Sequence, residues 1–255
     1  MRSLRMAISF LTVLPVAPGG SVVSMASARA YFPLVGLGLG GILAGLDLAA
    51  REVLPPMVVG TLLVIALVVL TRAIHIEGFL DACDGLFGGF TRERRLEILR
   101  DSHVGAFAVV GGASLLMLKW SLLVGLPGGD ERTYLLILFP CLSRFGMLAT
   151  MAAFPYAREQ GMGTVFQAGR GWWQIGLGLT TAMVASVLLI GGAGAILLGA
   201  ALLVSLMFGR WVTGLLGGMT GDTYGAVDEV AEVTVLILGI ILFEVASELF
   251  QSPLS

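Results

Sequence analysis

The stretch 57-MVVGTLLVIALVVLTRAIHIEGFLDACDGLFGG-89 joins an unbroken apolar run to a segment that carries three acids. Residues 57–75 come close to the ~20 apolar residues a helix needs to cross a membrane. Glu77, Asp81 and Asp84 follow at once. On a helix, at about 100° per residue, these three carboxylates fall within roughly 60° of one another. Three acids on one stripe at a membrane boundary are unfavourable unless a cation binds them. Hard oxygen ligands held this closely suit Mg²⁺ or a similar divalent ion. An ion bound there can grip a phosphate or pyrophosphate. The stripe therefore points to an enzyme acting at a membrane face, not to a plain channel or scaffold.

The rest of the chain agrees with a membrane setting. Of its 255 residues 57% are hydrophobic and 13% charged, whereas soluble domains run near 25% charged. Mean hydropathy is +0.95. The 36 glycines allow close helix approach in a bilayer. A net charge of −2 without a basic stripe gives no sign of nucleic acid as a partner. Cys83 and Cys141 have no metal or disulfide spacing and read as small buried hydrophobes. No polar segment is long enough to bury its own core, so residues 1–255 read as a single transmembrane domain.

The fold class expected is all-α, a polytopic integral membrane helical bundle with about seven transmembrane helices. They are placed near 31–50, 57–75, 104–126, 133–154, 174–192, 194–216 and 232–250, the fifth and sixth divided by IGGAGA at 190–195. The opening MRSLRMAISFLTVLPVAPGG has the outline of a secretory leader. Its apolar run is short and ends at Pro15 and Pro18, which favours a re-entrant or interfacial helix with Arg2 and Arg5 at the headgroups. With seven spans, one face collects Arg2, Arg5, Arg29, Arg72, Arg92, Arg94, Arg95, Arg100, Arg158, Arg170 and Arg210, and the other only Arg51 and Arg132. That bias puts the N-terminus and the acid stripe in the cytoplasm. Lys119 and Arg144 fall inside spans.

Three polar segments lie on the arginine-rich face. In the first, residues 92–100 form a short amphipathic helix. Its Leu96 and Leu99 face lipid or protein, and Arg92, Arg94 and Arg95 are cations suited either to headgroups or to phosphates. Asp101 and His103 precede the third span, where an Asp serves as well as a helix cap as in catalysis. The second segment, 155–173, offers Arg158, Arg170 and an aromatic pair, Trp172 and Trp173, of the kind found in interfacial belts. Arg144 lies within the fourth span, where a charge needs a partner; Asp81, Asp84 or a bound phosphate are candidates. The third segment, 217-GGMTGDTYGAVDEVAE-232, sets Thr220, Gly221 and Asp222 in a glycine-rich turn whose backbone N–H groups can approach a phosphate. Asp228 and Glu229 there suit a helix start, and Glu232 follows Glu229 by three residues.

These segments together resemble a known family. FLTVLPV at 10–16, YFPLVGLGLG at 31–40, H-x-E-G-x-x-D-x-x-D-G at 75–85, RDSHVGAFA at 100–108, PYAREQGMG at 155–163 and GGMTGDTYGAVDEVAE at 217–232 are similar, in order, to the cobalamin-5′-phosphate synthase family. The resemblance implies an integral membrane, Mg²⁺-dependent transferase that joins adenosylcobinamide-GDP to α-ribazole or its 5′-phosphate and releases GMP. It also implies a multi-pass protein of the bacterial inner membrane with its active site facing the cytoplasm; homo-oligomerisation is left open. On this reading Glu77, Asp81, Asp84 and Asp222 hold the metal. Arg92, Arg94, Arg95, His103, Arg158, Thr220 and Gly221 contact substrate. His75 and Asp101 are the candidate proton acceptors, and Arg144 acts on phosphate oxygens. Glu77 stands where the family more often has Asp, His103 where an arginine is commoner, and Val13 where a polar or basic residue is. Two rivals remain in view. A CDP-alcohol phosphotransferase shares D-x-x-D-G, but the continuation LFGGFTRER departs from its pattern. A transporter would place its acids near the midplane, whereas these crowd one face.

Overall fold

The computed structural model describes residues 1–17, 26–158 and 171–250. Arg170 and the EQGMG part of the 155–163 motif lie outside the described residues. The elements in order are α1 (Arg2–Leu11), a 3₁₀ turn (Arg29–Tyr31), α2 (Phe32–Ala50), α3 (Pro56–Leu70), α4 (Ile74–Gly88), α5 (Arg92–Ile98), α6 (Ala106–Val124), α7 (Gly129–Ala153), α8 (Trp172–Leu216), α9 (Gly221–Val245) and a final 3₁₀ turn (Ser247–Leu249). Among the described residues the only strand-like pairing is one bridge between Tyr156 and Met219. The helix ends follow local chemistry. Pro33 and Pro56 sit in first turns, Thr91 and Thr220 cap α5 and α9, and Gly217 ends α8 at φ +74°.

Four described helices, Ala26–Ala50, α6, α7 and α8, are long and apolar enough to cross a membrane. The pair α3 and α4, bent by 89°, makes a fifth if it is one crossing. Seven crossings were expected, and the difference has physical causes. The 45-residue α8 is not straight: Ile190 (φ −137°, ψ 22°) and Gly191 (φ 57°, ψ −132°) break it. A Cβ on Gly194 would overlap the Ser186 carbonyl, so the chain folds back on itself at this break. The fold-back falls where IGGAGA was expected to divide two helices. The last helix begins at Gly221, well before residue 232, and so takes in Asp222, Asp228, Glu229 and Glu232. Those acids make it less apolar than an ordinary span.

The bundle is built around α7, whose residues from Leu138 to Leu148 are all buried. A helix enclosed on every side needs apolar residues all round, and Arg144 is therefore a conspicuous exception. Helix α2 lies directly against α7. A Cβ on Gly36 would overlap the Pro140 carbonyl and one on Gly40 the Ile137 carbonyl, so this small-residue seam lets the two backbones touch. At one end of the pair, Arg132 clamps Asp47 through Nε (2.9 Å to each oxygen) and Nη2 (2.7 Å). Arg132 was read as a loop arginine of the outer face, but it is buried in this ion pair.

The ten-residue α1 spans only about 15 Å, half a hydrocarbon core. It buries Ala7 and Leu11 and leaves Arg2 and Arg5 exposed. The turn after it is tied to α3 by Val13 N–H donating to the Leu70 carbonyl at 2.8 Å. A helix this short is not a full span, which is what a re-entrant or interfacial helix requires.

The α2–α7 seam yields a paired prediction. Gly40→Val should lower stability by about 1–3 kcal/mol through overpacking. Gly41→Val, at a position with nothing within 4 Å of an added Cβ, should leave it unchanged. Thermal unfolding of both variants in detergent or nanodiscs checks this.

Candidate active site

Helix α4 carries the acid stripe across the end of the bundle. Arg72 (φ 53°) and Ala73 (φ 57°) turn the chain out of α3 in the left-handed region, which produces the 89° bend. Helix α9 then packs on α4 through two glycines. A Cβ on Gly78 would lie 2.6 Å from the Asp222 carbonyl oxygen, and one on Gly225 2.9 Å from that of His75. This close approach brings the first turn of α9, with Asp222, opposite the stripe of α4.

Between them lies a cavity of about 220 Å³ whose lining includes His75, Glu77, Asp81, Gly221 and Asp222, with Phe10, Met147 and Tyr224 as apolar wall. The Asp81 carboxylate is repelled by Asp222, Glu77 and Asp84 and attracted by Arg158. Arg158 donates to Asp222 Oδ2 (3.1 Å) and to the Leu99 carbonyl (3.2 Å). It reaches Asp222 because the 155–158 segment pairs with the turn before α9: Met219 N–H donates to the Pro155 carbonyl and Ala157 N–H to that of Met219, both at 2.8 Å. Thr220 caps α9 and also donates to Asp222 Oδ2 at 3.2 Å. Two loops that sequence could only assign to the same face are thus joined at one carboxylate.

The third acid of the stripe is engaged elsewhere. Asp84 Oδ2 accepts from Gly105 N–H at 2.6 Å, and Oδ1 from Ala108 N–H at 2.9 Å. It caps α6, where free amides and the helix dipole favour an anion. Among the described residues no group of three or more His, Cys, Asp and Glu side chains is gathered tightly enough to hold a metal ion unaided. The carboxylates facing the cavity are Glu77, Asp81 and Asp222. Such a spread set fits Mg²⁺, which keeps several waters and takes the rest of its ligands from substrate phosphates.

Beneath the cavity floor lies a buried charge cluster. Arg144, fully buried, donates through Nη1 to Glu232 and forms an ion pair with Asp228 at 3.1 Å, and its Nη2 stands 3.0 Å from His75 Nδ1. His75 Nδ1 is also 2.8 Å from Asp228 Oδ2. Lys119 reaches Glu232 at 2.6 Å and also pairs with Glu229. Arg144 was expected to meet Asp81, Asp84 or a phosphate. Its acidic partners instead come from α9, with His75 of α4 beside them, and it does not line the cavity. Asp228 and Glu229 are not first-turn acids tuned to a dipole; they sit deep in α9 as counter-ions. The signal that marks this cluster is the coincidence of lone cations in α6 and α7 with acids placed beyond the first turn of an apolar helix.

The remaining sites predicted from sequence are more peripheral. Arg92 donates from Nε to the Leu216 carbonyl at 2.7 Å and so fastens α5 to the end of α8. Arg94 pairs with Glu97 on the surface at 2.7 Å. The Arg95 Nε is buried without a hydrogen-bond partner. Asp101 and His103 occupy an exposed loop and are not part of the cavity wall. The His103 ring, 2.5 Å away, and the His103 amide hold the Asp101 carboxyl below the ordinary carboxylate range, which makes it a weaker base.

Two predictions follow from these contacts. Asp84→Ala should cost about 0.5–2 kcal/mol as a lost cap and speed hydrogen exchange at the Gly105 and Ala108 amides, while Asp84→Asn, with one acceptor oxygen in place of two, should protect only one of the two amides. Glu232→Gln should destabilise the protein by roughly 3–5 kcal/mol, because it leaves buried cations short of a partner; denaturation in a fixed detergent measures it.

Comparison with known proteins adds an independent line. A family model described as Cobalamin-5-phosphate synthase matches residues 3–240. A protein of Desulfitobacterium hafniense (strain Y51) named adenosylcobinamide-GDP ribazoletransferase is 42% identical over 249 residues, covering 93% of this chain and 96% of its own. Proteins of the same name from Roseiflexus sp. (strain RS-1) and Deinococcus radiodurans are 39% and 38% identical, over 90% and 92% of this chain and 86% and 84% of theirs. No solved structure matches. With a family model spanning nearly all of its length and relatives this similar from end to end, the chain belongs to the cobalamin-5-phosphate synthase family.

Proposed function

We infer that the chain is an adenosylcobinamide-GDP ribazoletransferase that performs the last assembly step of the cobalamin nucleotide loop. Family membership supports the activity, and one observation carries the assignment of the site: Glu77, Asp81 and Asp222 converge on a single cavity from two helices. The reaction joins a ribose hydroxyl of α-ribazole, or of its 5′-phosphate, to the phosphorus borne by cobinamide. The bond from that phosphorus to the bridging oxygen breaks, and GMP leaves. Glu77, Asp81 and Asp222 would hold Mg²⁺, which would supply charge neutralisation for the diphosphate.

The chain's own residues do the rest. Arg158, beside Asp222, faces a non-bridging phosphate oxygen and orients the diphosphate. Gly221, in the cavity wall at the start of α9, lets phosphate approach a helix N-terminus. His75 is preferred to Asp101 as the group that receives the hydroxyl proton. It lies in the cavity wall, and with Nδ1 between Asp228 and Arg144, its Nε2 has no protein partner. Arg144 acts through His75 and is a positioning residue. Asp84 fixes the junction of α4 with α6. A cavity of about 220 Å³ is below the usual range for whole small-molecule sites, so the diphosphate enters it and the corrin ring stays at its mouth. The arginine-rich face supports an active site open to the cytoplasm of the bacterial inner membrane.

The test uses the purified chain in nanodiscs with adenosylcobinamide-GDP, α-ribazole and Mg²⁺, and follows GMP by chromatography. GMP should form only with both substrates and the metal. Asp81→Asn and Asp222→Asn should each lower turnover roughly 100-fold or more, as loss of a few kcal/mol of charge stabilisation requires. Unchanged turnover in both would overturn the site.

A further inference from the structure

Helix α1 has a second face, turned away from the cavity. While Phe10 helps line the cavity, Leu4 and Ile8 line an open groove of about 300 Å³ completed by Leu34, Gly38 and Ile42 of α2 and by Leu70 of α3. The groove is almost wholly apolar, and Leu34 and Ile42 are 42% and 50% exposed. Its α2 wall, from Leu34 to Ile42, rises about 12 Å, most of the ~15 Å depth of one leaflet's hydrocarbon. It lies in the half of α2 that starts from the arginine-rich face. Arg2 and Arg5 flank Leu4 on α1, and Arg72 follows Leu70 by two residues. All three are exposed, and none has an acidic partner among the described residues. Arg5 Nε donates to the Val16 carbonyl at 2.7 Å.

We propose that this groove is a binding site for one acyl chain of an anionic phospholipid whose phosphate is met by Arg2, Arg5 and Arg72. The apolar wall accounts for the chain, and its depth fits a single leaflet. The three uncompensated cations account for the preference in headgroup, because a basic residue near an anionic surface contributes about fivefold in affinity. The inference needs only the membrane setting and is independent of the reaction assigned to the cavity.

The experiment is photolabelling of the full chain in phosphatidylcholine nanodiscs doped with a trace of diazirine-acyl phosphatidylglycerol or diazirine-acyl phosphatidylcholine. Adducts are mapped by peptide mass spectrometry. Residues 34–42 should be labelled at least about fivefold more by the phosphatidylglycerol probe, whereas Leu203 and Met207, exposed elsewhere on α8, should show no preference. Gly38→Phe should abolish the groove adducts, since an added Cβ there meets nothing within 4 Å and the ring enters the groove. Arg2→Gln, Arg5→Gln and Arg72→Gln should each erode the preference, and these surface changes decide the matter if Gly38→Phe does not fold. Equal labelling by both probes, a preference unchanged in all three arginine variants, groove adducts that survive in folded Gly38→Phe, or a face shielded by a second copy in native mass spectrometry would overturn the proposal.

Discussion

Two cations and three carboxylates lie buried together at the centre of this bundle. Arg144 and Lys119 meet Asp228, Glu229 and Glu232, with the His75 ring against Arg144 and Asp228. An isolated charge in such a place is prohibitive, and each of these is tolerable only in company. The cluster draws on α4, α6, α7 and α9 together, so it fixes their relative rotation in a way that interchangeable apolar contacts would not. Because α4 and α9 are also the helices that present Glu77, Asp81 and Asp222, the geometry of the cavity is set from beneath by the charges under it.

A division of labour among acids follows. The carboxylates that face the cavity lack sufficient positive charge of their own; Arg158 is the cation that offsets them. Those below it are matched to lysine and arginine. Asp84 belongs to neither group, since its oxygens are taken by the amides that open α6. Residues of one chemical type thus line the cavity, hold the fold or cap a helix according to the neighbours the backbone gives them. The glycines at 78 and 225 matter for the same reason: they let α4 and α9 approach until Asp222 stands opposite the stripe.

Much of this was legible in the sequence, and the gaps have a common cause. The stripe on α4, the short helix α1, the α8 break at IGGAGA and the placing of Asp222 at the start of a turn all follow from local periodicity or turn chemistry. The partners of Arg144 did not, because spacing describes one helix and says nothing about which helix it faces. Asp84 looked equivalent to Asp81 for the same reason; what separates them is a contact with Gly105, made only when the α4–α6 turn closes. The start of α9 was misplaced because its acids read as a polar loop, whereas Asp228, Glu229 and Glu232 are each in contact with a cation from another helix.

The most direct measurement is a cryo-electron microscopy map of the enzyme in nanodiscs with Mg²⁺ and a non-reactive diphosphate analogue of adenosylcobinamide-GDP. Diphosphate density bounded by Glu77, Asp81, Asp222 and Arg158, over an intact Arg144 cluster, is the expected result. Diphosphate held instead by the exposed Arg94 and its neighbour Arg95 on α5, with the three cavity carboxylates turned away from it, would contradict the reading.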